Sequence, residues 1–202
     1  MVNDRITSSS KHANVDYNLL GAVKDLIGVD FVEGSDSFPA FEFTAMSDIK
    51  DSYRLHLPEK LYEFAITTIF RPVTRTGGYL FSIVNPEETI VQLGIHLSPA
   101  TTGKWNITLL YTNWDSTTWV SKKLATFEIP YSNNWQTVAF KILSDQVTFY
   151  HNCIETTTVM VKREPIELIF DSASTLYIGQ AGPRLKGHFE TKNPVMNTKR
   201  FV

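Results

Sequence analysis

Five histidines, one cysteine and a scatter of loop acids are the residues of this chain best suited to chemistry. The histidines are His12, His56, His96, His151 and His188, and none stands in an HxH, HExxH or CxxC frame. A catalytic zinc centre needs such a clustered ligand set, so the sequence gives it no support. His56 and His96 fall in stretches that read as strands, where a hydrogen-bonded histidine is the ordinary outcome. No G-x-S-x-G elbow offers an activated serine. Glycoside hydrolysis needs two carboxylates roughly 5–9.5 Å apart across a sugar cleft. Glu87 and Glu88 are adjacent, so on a strand they would face opposite ways, and they follow Pro86 in a predicted turn. No acid-x-acid pair occurs on a predicted strand. Asp36, Asp145 and Asp171 are loop acids with oxygen ligands suited to calcium, but loop aspartates are far more often turn formers. The reading is therefore a protein without catalytic residues, metal site or cofactor.

What remains is binding and modification. Asn106-Ile107-Thr108 is an N-glycosylation acceptor. If Trp105, Ile107 and Leu109 face inward, Asn106 and Thr108 face outward. Cys153 is the chain's single cysteine, so in an oxidising compartment it lacks an intrachain partner. The candidates for polyanion binding are Lys122, Lys123, Lys162, Arg163, Arg184 and Lys186. They form a site only if several share one face, because one exposed charge contributes little. The formal net charge is −2, with 19 Lys and Arg against 21 Asp and Glu. Nucleic acid is therefore not expected as a main partner. No apolar run approaches the roughly 20 residues that span a bilayer, and residues 1–10 contain no apolar segment of a signal peptide.

The elements that must hold these residues are mostly strands. Hydrophobic residues make up 43% of 202, enough for one large sandwich. Residues 1–15 read as a polar leader. Leu19, Leu20, Val23, Leu26 and Ile27 recur at helical spacing, with Asp16 suited to cap the start and Gly28 to end it, so a helix is predicted over 17–27. Alternation follows. In one run Tyr62, Phe64, Ile66, Thr68 and Phe70 share a side; in another, Trp105, Ile107, Leu109 and Tyr111 do. Further strands are predicted at 79–84, 90–97, 119–129, 135–143, 147–153, 157–162, 166–170 and 176–180, separated by turn-forming clusters. The expected core is Phe64, Ile66, Leu80, Leu93, Trp105, Leu109, Trp135, Val138, Phe140, Phe149 and Ile178. Residues 190–202 show no alternation and read as a tail.

Four stretches in this order carry a family resemblance: Leu26-Ile-Gly-Val with Phe38-Pro-Ala-Phe; Phe64-Ala-Ile to Arg71-Pro, then Gly77-Gly-Tyr-Leu-Phe-Ser-Ile and Leu93-Gly-Ile-His-Leu-Ser; Leu109-Leu-Tyr-Thr, Trp135 and Val147-Thr-Phe-Tyr-His-Asn-Cys153; and Leu176-Tyr-Ile-Gly-Gln-Ala-Gly182 followed by Phe189. Over about 19–189 the set resembles the thrombospondin N-terminal-like, laminin-G-like domain of the type XV and XVIII collagens. The resemblance implies an all-β, antiparallel two-sheet jelly-roll sandwich with one short N-terminal helix, spanning 16–189. It implies a secreted, non-enzymatic module of the extracellular matrix, of basement-membrane type. Matrix proteins or heparan sulfate are its expected partners, and a trimer is expected only when it is joined to a collagen helix. A lectin-like domain is the alternative, with Asn113-Trp114-Asp115 its one hint, and a glycoside hydrolase is the third reading. In the family the counterpart of Cys153 pairs with a cysteine beyond a further strand. Neither appears here, so Cys153 is expected to be a free thiol. The sheet beside 41–57 or 176–182 is expected to have an open edge or to be covered by 190–202.

Overall fold

The computed structural model describes residues 5–10, 13–23, 28–34, 39–43, 46–72, 74–113 and 120–189. The alternating runs become two six-stranded antiparallel sheets, as expected of a jelly-roll sandwich. The first sheet contains β1 (Arg5–Ser10), β2 (Ala13–Tyr17), β7 (Phe64–Phe70), β12 (Gln136–Ile142), β13 (Gln146–His151) and β14 (Ile154–Met160), in the order β14-β13-β12-β7-β1-β2. The second contains β5 (Ile49–Ser52), β8 (Gly78–Val84), β9 (Val91–Pro99), β10 (Lys104–Tyr111), β11 (Lys123–Pro130) and β16 (Thr175–Ile178), in the order β11-β10-β9-β8-β16-β5. Two short ribbons complete the set. β3 (Val29–Glu33) pairs with β4 (Pro39–Phe43), and β6 (Lys60–Leu61) pairs with β15 (Leu168–Ile169).

β7 and β12 bury every second residue, whereas β8, β9 and β10 are buried over most of both faces. β7 alternates buried and half-buried positions along its length. The inward residues of both sheets form one cluster that includes Phe64, Ile66, Leu93, Ile95, Trp105, Leu109, Phe140 and Phe149. Between the sheets, Phe127 stacks on Phe149 at 4.6 Å, and Phe140 tilts against Phe149 at 5.1 Å. Such aromatic pairs stabilise beyond their area burial. Of the expected core, all but Trp135 are buried; Trp135 is half-buried at the end of the sandwich. A second, smaller cluster of Val84, Val91, Leu110, Tyr177 and Ala181 lies on the opposite side of the second sheet from Leu93 and Leu109. There a short helix, α1 (Gly182–Leu185), follows β16.

Three expectations change. The polar stretch read as a leader forms β1 and β2, and β2 crosses the expected boundary at 15/16. β1 adds to the edge of β7, with Arg5 opposite Thr67 and Ser8 opposite Phe64. An unpaired strand edge recruits backbone whatever the polarity of the incoming side chains. The helix predicted over 17–27 is described as a single 3-10 turn, Leu19–Ala22. Asp16 belongs to β2, and 24–27 lie outside the described residues. Leu19 and Ala22 still enter the core, and Gly28 takes the expected left-handed conformation at φ 70°. Tyr62, expected inward, sits before β7 and is exposed. At the edge expected to be open, β5 covers β16 and is itself the outermost described strand. The tail 190–202 and the Trp114-Asp115 hint lie outside the described residues.

Candidate functional site

Three connections meet at one end of the sandwich: 71–77 between β7 and β8, 100–103 between β9 and β10, and 131–135 between β11 and β12. The first turns back on Gly77 and Gly78, with φ of 80° and 131°. A Cβ on Gly77 would stand 2.3 Å from the Leu97 carbonyl oxygen, so only glycine lets this loop lie against β9. The second closes with Ala100 N–H donating to the Lys104 carbonyl at 3.2 Å and Lys104 N–H donating to Thr101 at 3.0 Å. The third is tied to it by the Tyr131 N–H, which donates to the Gly103 carbonyl at 2.8 Å.

These loops present cations on aromatic faces. The Arg75 guanidinium lies 4.2 Å from the centroid of the Tyr131 ring, and Arg71 lies 5.1 Å from that of Trp135. Tyr131 in turn tilts against buried Trp105 at 5.6 Å. A pocket of about 190 Å³ opens here, and its walls include Arg75, Thr101, Lys104, Trp105 and Tyr131. Lys104 Nζ donates to Glu128 at 2.7 Å, with both side chains about half exposed. The Trp105 Nε1–H is buried and has no hydrogen-bond partner among the described residues. An unmet buried donor of this kind costs about 1–3 kcal/mol. The pocket wall is suited to hold an anion: Arg75 and Lys104 stand in it, and Glu128 on Lys104 is the one carboxylate paired to either among the described residues.

None of the basic residues singled out in the sequence lines this pocket. Lys162 pairs with Glu164 at 2.6 Å. The Lys162 hydrogen bond and charge hold the Glu164 carboxyl below its usual range, and Lys122 adds to this. Lys123 faces the outer side of the second sheet near His96, whose ring tilts against Tyr79 at 4.7 Å. Burial, and then the Lys123 charge, hold the His96 pKa below the ordinary histidine value. Arg184 and Lys186 are exposed, in and just after α1. Arg163 is a correction: it is only 3% exposed. Its guanidinium donates to the carbonyls of Leu143, Tyr62 and Ile166 and to the Tyr111 hydroxyl. It is a structural clamp and not a surface charge. Lys122 and Lys123 stand at the opposite end of β11 from Tyr131, roughly 25 Å away at about 3.3 Å per residue.

Other candidates resolve as follows. Asn106 is half-buried on the outer face, and Thr108 is buried there with its hydroxyl 3.0 Å from that of Thr126, so the sequon is less open than alternation implies. Cys153 is an exposed free thiol in the two-residue turn between β13 and β14. His56 hydrogen-bonds Asp51 at 3.0 Å, and His151 pairs with Gln136 at 3.1 Å. Glu87 accepts from Asn85, and Glu88 accepts from the Tyr177 hydroxyl, so both acids serve the turn that carries them. Asp171 accepts from the Ala173 N–H, an Asx turn. Among the described residues no group of three His, Cys, Asp or Glu is arranged to hold a metal. Sequence reasoning passed over Arg71, Arg75 and Lys104. The available signal was two arginines in a Thr- and Gly-rich loop ahead of an aromatic-rich one, but nothing local shows that those loops meet.

No family model matches the chain. Against curated proteins it is 28% identical over 131 residues to the human collagen alpha-1(XVIII) chain, a match covering 64% of this chain and 7% of that one. Among solved structures it resembles a heptameric SAP-like pentraxin from Limulus polyphemus, with a TM-score of 0.50 and 17% identity over 71% of this chain and 61% of that one. It also resembles domain 4 of AbnA, a GH43 extracellular arabinanase from Geobacillus stearothermophilus, with a TM-score of 0.52 and 16% identity over 86% and 71%. At such identities the structural likenesses speak to fold alone. The chain thus has an antiparallel, two-sheet jelly-roll sandwich, and its sequence is similar to part of collagen XVIII.

Proposed function

We propose that this chain is a non-enzymatic, extracellular matrix-binding module that recognises acidic glycans such as heparan sulfate through the end of the sandwich carrying Arg71, Arg75 and Lys104. The observation that carries the reading is the pocket that Arg75, Lys104 and Tyr131 line, with Arg71 set on Trp135 in the connections of the same end. Similarity to a collagen chain supports the matrix setting and secretion. Two features argue for binding over catalysis. The described pocket walls contain no carboxylate, whereas a glycosidase of the common kind needs two. The nearby Glu128 is held by Lys104.

The reading separates two basic regions and so can be tested by comparing them. Arg71→Ala/Arg75→Ala/Lys104→Ala should elute from immobilised heparin at clearly lower salt than the parent chain. Lys122→Ala/Lys123→Ala/Lys162→Ala should change elution little, since isolated exposed charges contribute only tenths of a kcal/mol each. Equal elution of the first triple variant and the parent would remove this end of the sandwich from the account.

A further inference from the structure

We infer that the β3–β4 ribbon is a docking surface for residues 190–202 of the same chain, a cationic segment that anchors in extended form on the ribbon's exposed phenylalanine pair.

The surface is acidic and aromatic. From Asp25 to Ile49 the sequence holds six acids (Asp25, Asp30, Glu33, Asp36, Glu42 and Asp48) and no Lys, Arg or His. The chain as a whole is nearly balanced, with 19 Lys and Arg against 21 Asp and Glu. The ribbon starts in the core and runs out of it. Val29 and Phe43 are register partners and are buried, whereas Phe31, two residues on, is 61% exposed, and Glu33 is exposed as well. Residues two apart on a strand share a face, so Phe31 and Glu33 continue the face that Val29 begins. There Phe31 meets its register partner Phe41, with ring centroids 4.9 Å apart. Asp30 and Glu33 are exposed and form no ion pair among the described residues. A two-stranded ribbon is marginal by itself in water, so this one gains from a further strand or apolar contact.

The chain leaves the body beside the base of this ribbon. The Phe189 N–H donates to the Gly179 carbonyl at 3.1 Å. Next to Gly179, the Gln180 side chain donates to Asp48 at 3.0 Å. Next to Asp48, the Ser47 hydroxyl donates to the carbonyl of Gly28, which leads into β3. Residues 190–202 carry Lys192, Lys199 and Arg200 against one acidic side chain, Glu190. Fully extended they reach roughly 40 Å, well beyond the roughly 17 Å of a five-residue strand such as β3. The spacing also matches. Lys199 and Phe201 are two residues apart, as Glu33 and Phe31 are. An extended segment running antiparallel to β3 sets Lys199 against Glu33 when Phe201 meets Phe31. The ribbon of a second copy does not fit this surface, because acids would face acids.

The test puts a nitroxide on the segment and reads the ribbon. The ¹⁵N-labelled full chain carries Cys153→Ser, and Val202→Cys takes the spin label. The amide resonances of Phe31 and Phe41 should lose most of their intensity, while those of β14, the outermost strand of the first sheet, keep theirs. Asp30→Lys/Glu33→Lys should restore the Phe31 and Phe41 intensities. Adding Lys199→Glu/Arg200→Glu to that variant should bring the loss back, because the charge pairs re-form with reversed sign. Unmoved resonances of the core residues Phe140 and Phe149 show that each variant is folded. Three outcomes overturn the inference. Undiminished Phe31 and Phe41 resonances in the spin-labelled parent would show that the segment does not dock there. A loss that survives the charge reversal at 30 and 33 would show that charge does not select the contact. An equal loss when an unlabelled nitroxide chain is mixed with a ¹⁵N chain lacking nitroxide would assign the occupant to a second molecule.

Discussion

Replacing Arg163 tests whether the rim of the sandwich is held by a buried cation. Its guanidinium donates to Leu143 at 2.8 Å, to Tyr62 and Ile166 at 2.5 Å each, and to the Tyr111 hydroxyl at 3.0 Å. It also lies 5.0 Å from the Tyr111 ring and 5.9 Å from that of Phe64. These partners precede β7, follow β12 and sit on β10, so one side chain joins both sheets to the 161–167 connection. Three of these contacts share Nη2, which has two N–H, so they amount to about three full bonds; at about 1.5–3 kcal/mol each for a charged donor that is roughly 4.5–9 kcal/mol. Burying an ion without a carboxylate partner costs several kcal/mol and offsets much of that. Arg163→Met keeps the stem and removes both the charge and its desolvation cost, but strands three carbonyls. Because these bonds lie near the rim, where water can reach some of the freed groups, the expected loss is about 3 kcal/mol, the lower end of the range for breaking a buried charged network. Equilibrium urea unfolding, followed by tryptophan emission, reads the change directly. Arg163→Lys keeps the charge but cannot fork, so it should fall between the two. Neither variant should alter heparin elution of the folded protein. Stability of Arg163→Met within about 1 kcal/mol of the parent would show that the clamp is energetically idle and refute the argument.

Further outcomes follow from individual contacts. Phe140 touches Phe127 and Phe149 between the sheets and is fully buried, so Phe140→Ala should cost about 3–5 kcal/mol in the same assay. Asn152 and Cys153 both take positive φ, 50° and 67°, in the hairpin turn between β13 and β14. Asn-Gly suits such a turn best, so Cys153→Gly should stabilise by about 1 kcal/mol and raise Tm by roughly 2–4 °C. His96 and His151 have pKa values lowered chiefly by burial. A histidine depressed in the folded state leaves the unfolded chain binding more protons, so stability is full above the unfolded value of about 6.5 and declines as pH falls below it. His96→Gln/His151→Gln should flatten that decline in urea midpoints measured from pH 7.5 to 5. In chain secreted from mammalian cells, Asn106→Gln should migrate faster on a denaturing gel, as a lost glycan requires; unchanged migration would take the sequon out of the account.

The residues whose alternation was strongest needed nothing beyond the sequence. Trp105, Ile107 and Leu109 are buried because period two puts every second side chain on one face, and that face has to leave water. The same logic carried Phe64, Ile66, Phe140 and Phe149 into the core and made a two-sheet antiparallel sandwich the expected architecture. Weaker local signals were overruled by partners distant in the chain. Residues 5–10 have little apolar character, yet they form β1 because β7 offers a free edge. The helical spacing of 17–27 has only the 3-10 turn Leu19–Ala22 among its described residues. Arg163 looked like a surface cation because its neighbours in sequence are Lys162 and Glu164. Its burial depends on carbonyls 3, 20 and 101 residues away. The candidate site is the plainest case. Arg71, Arg75, Lys104, Tyr131 and Trp135 come from two loops and the start of β10, and no local pattern links them. They meet because β7, β9 and β11 all end at the same end of the sandwich, and only strand order determines that. Pattern along the chain thus set which faces are buried, while closure of the sheets decided which loops became neighbours and which cations they bring to one end.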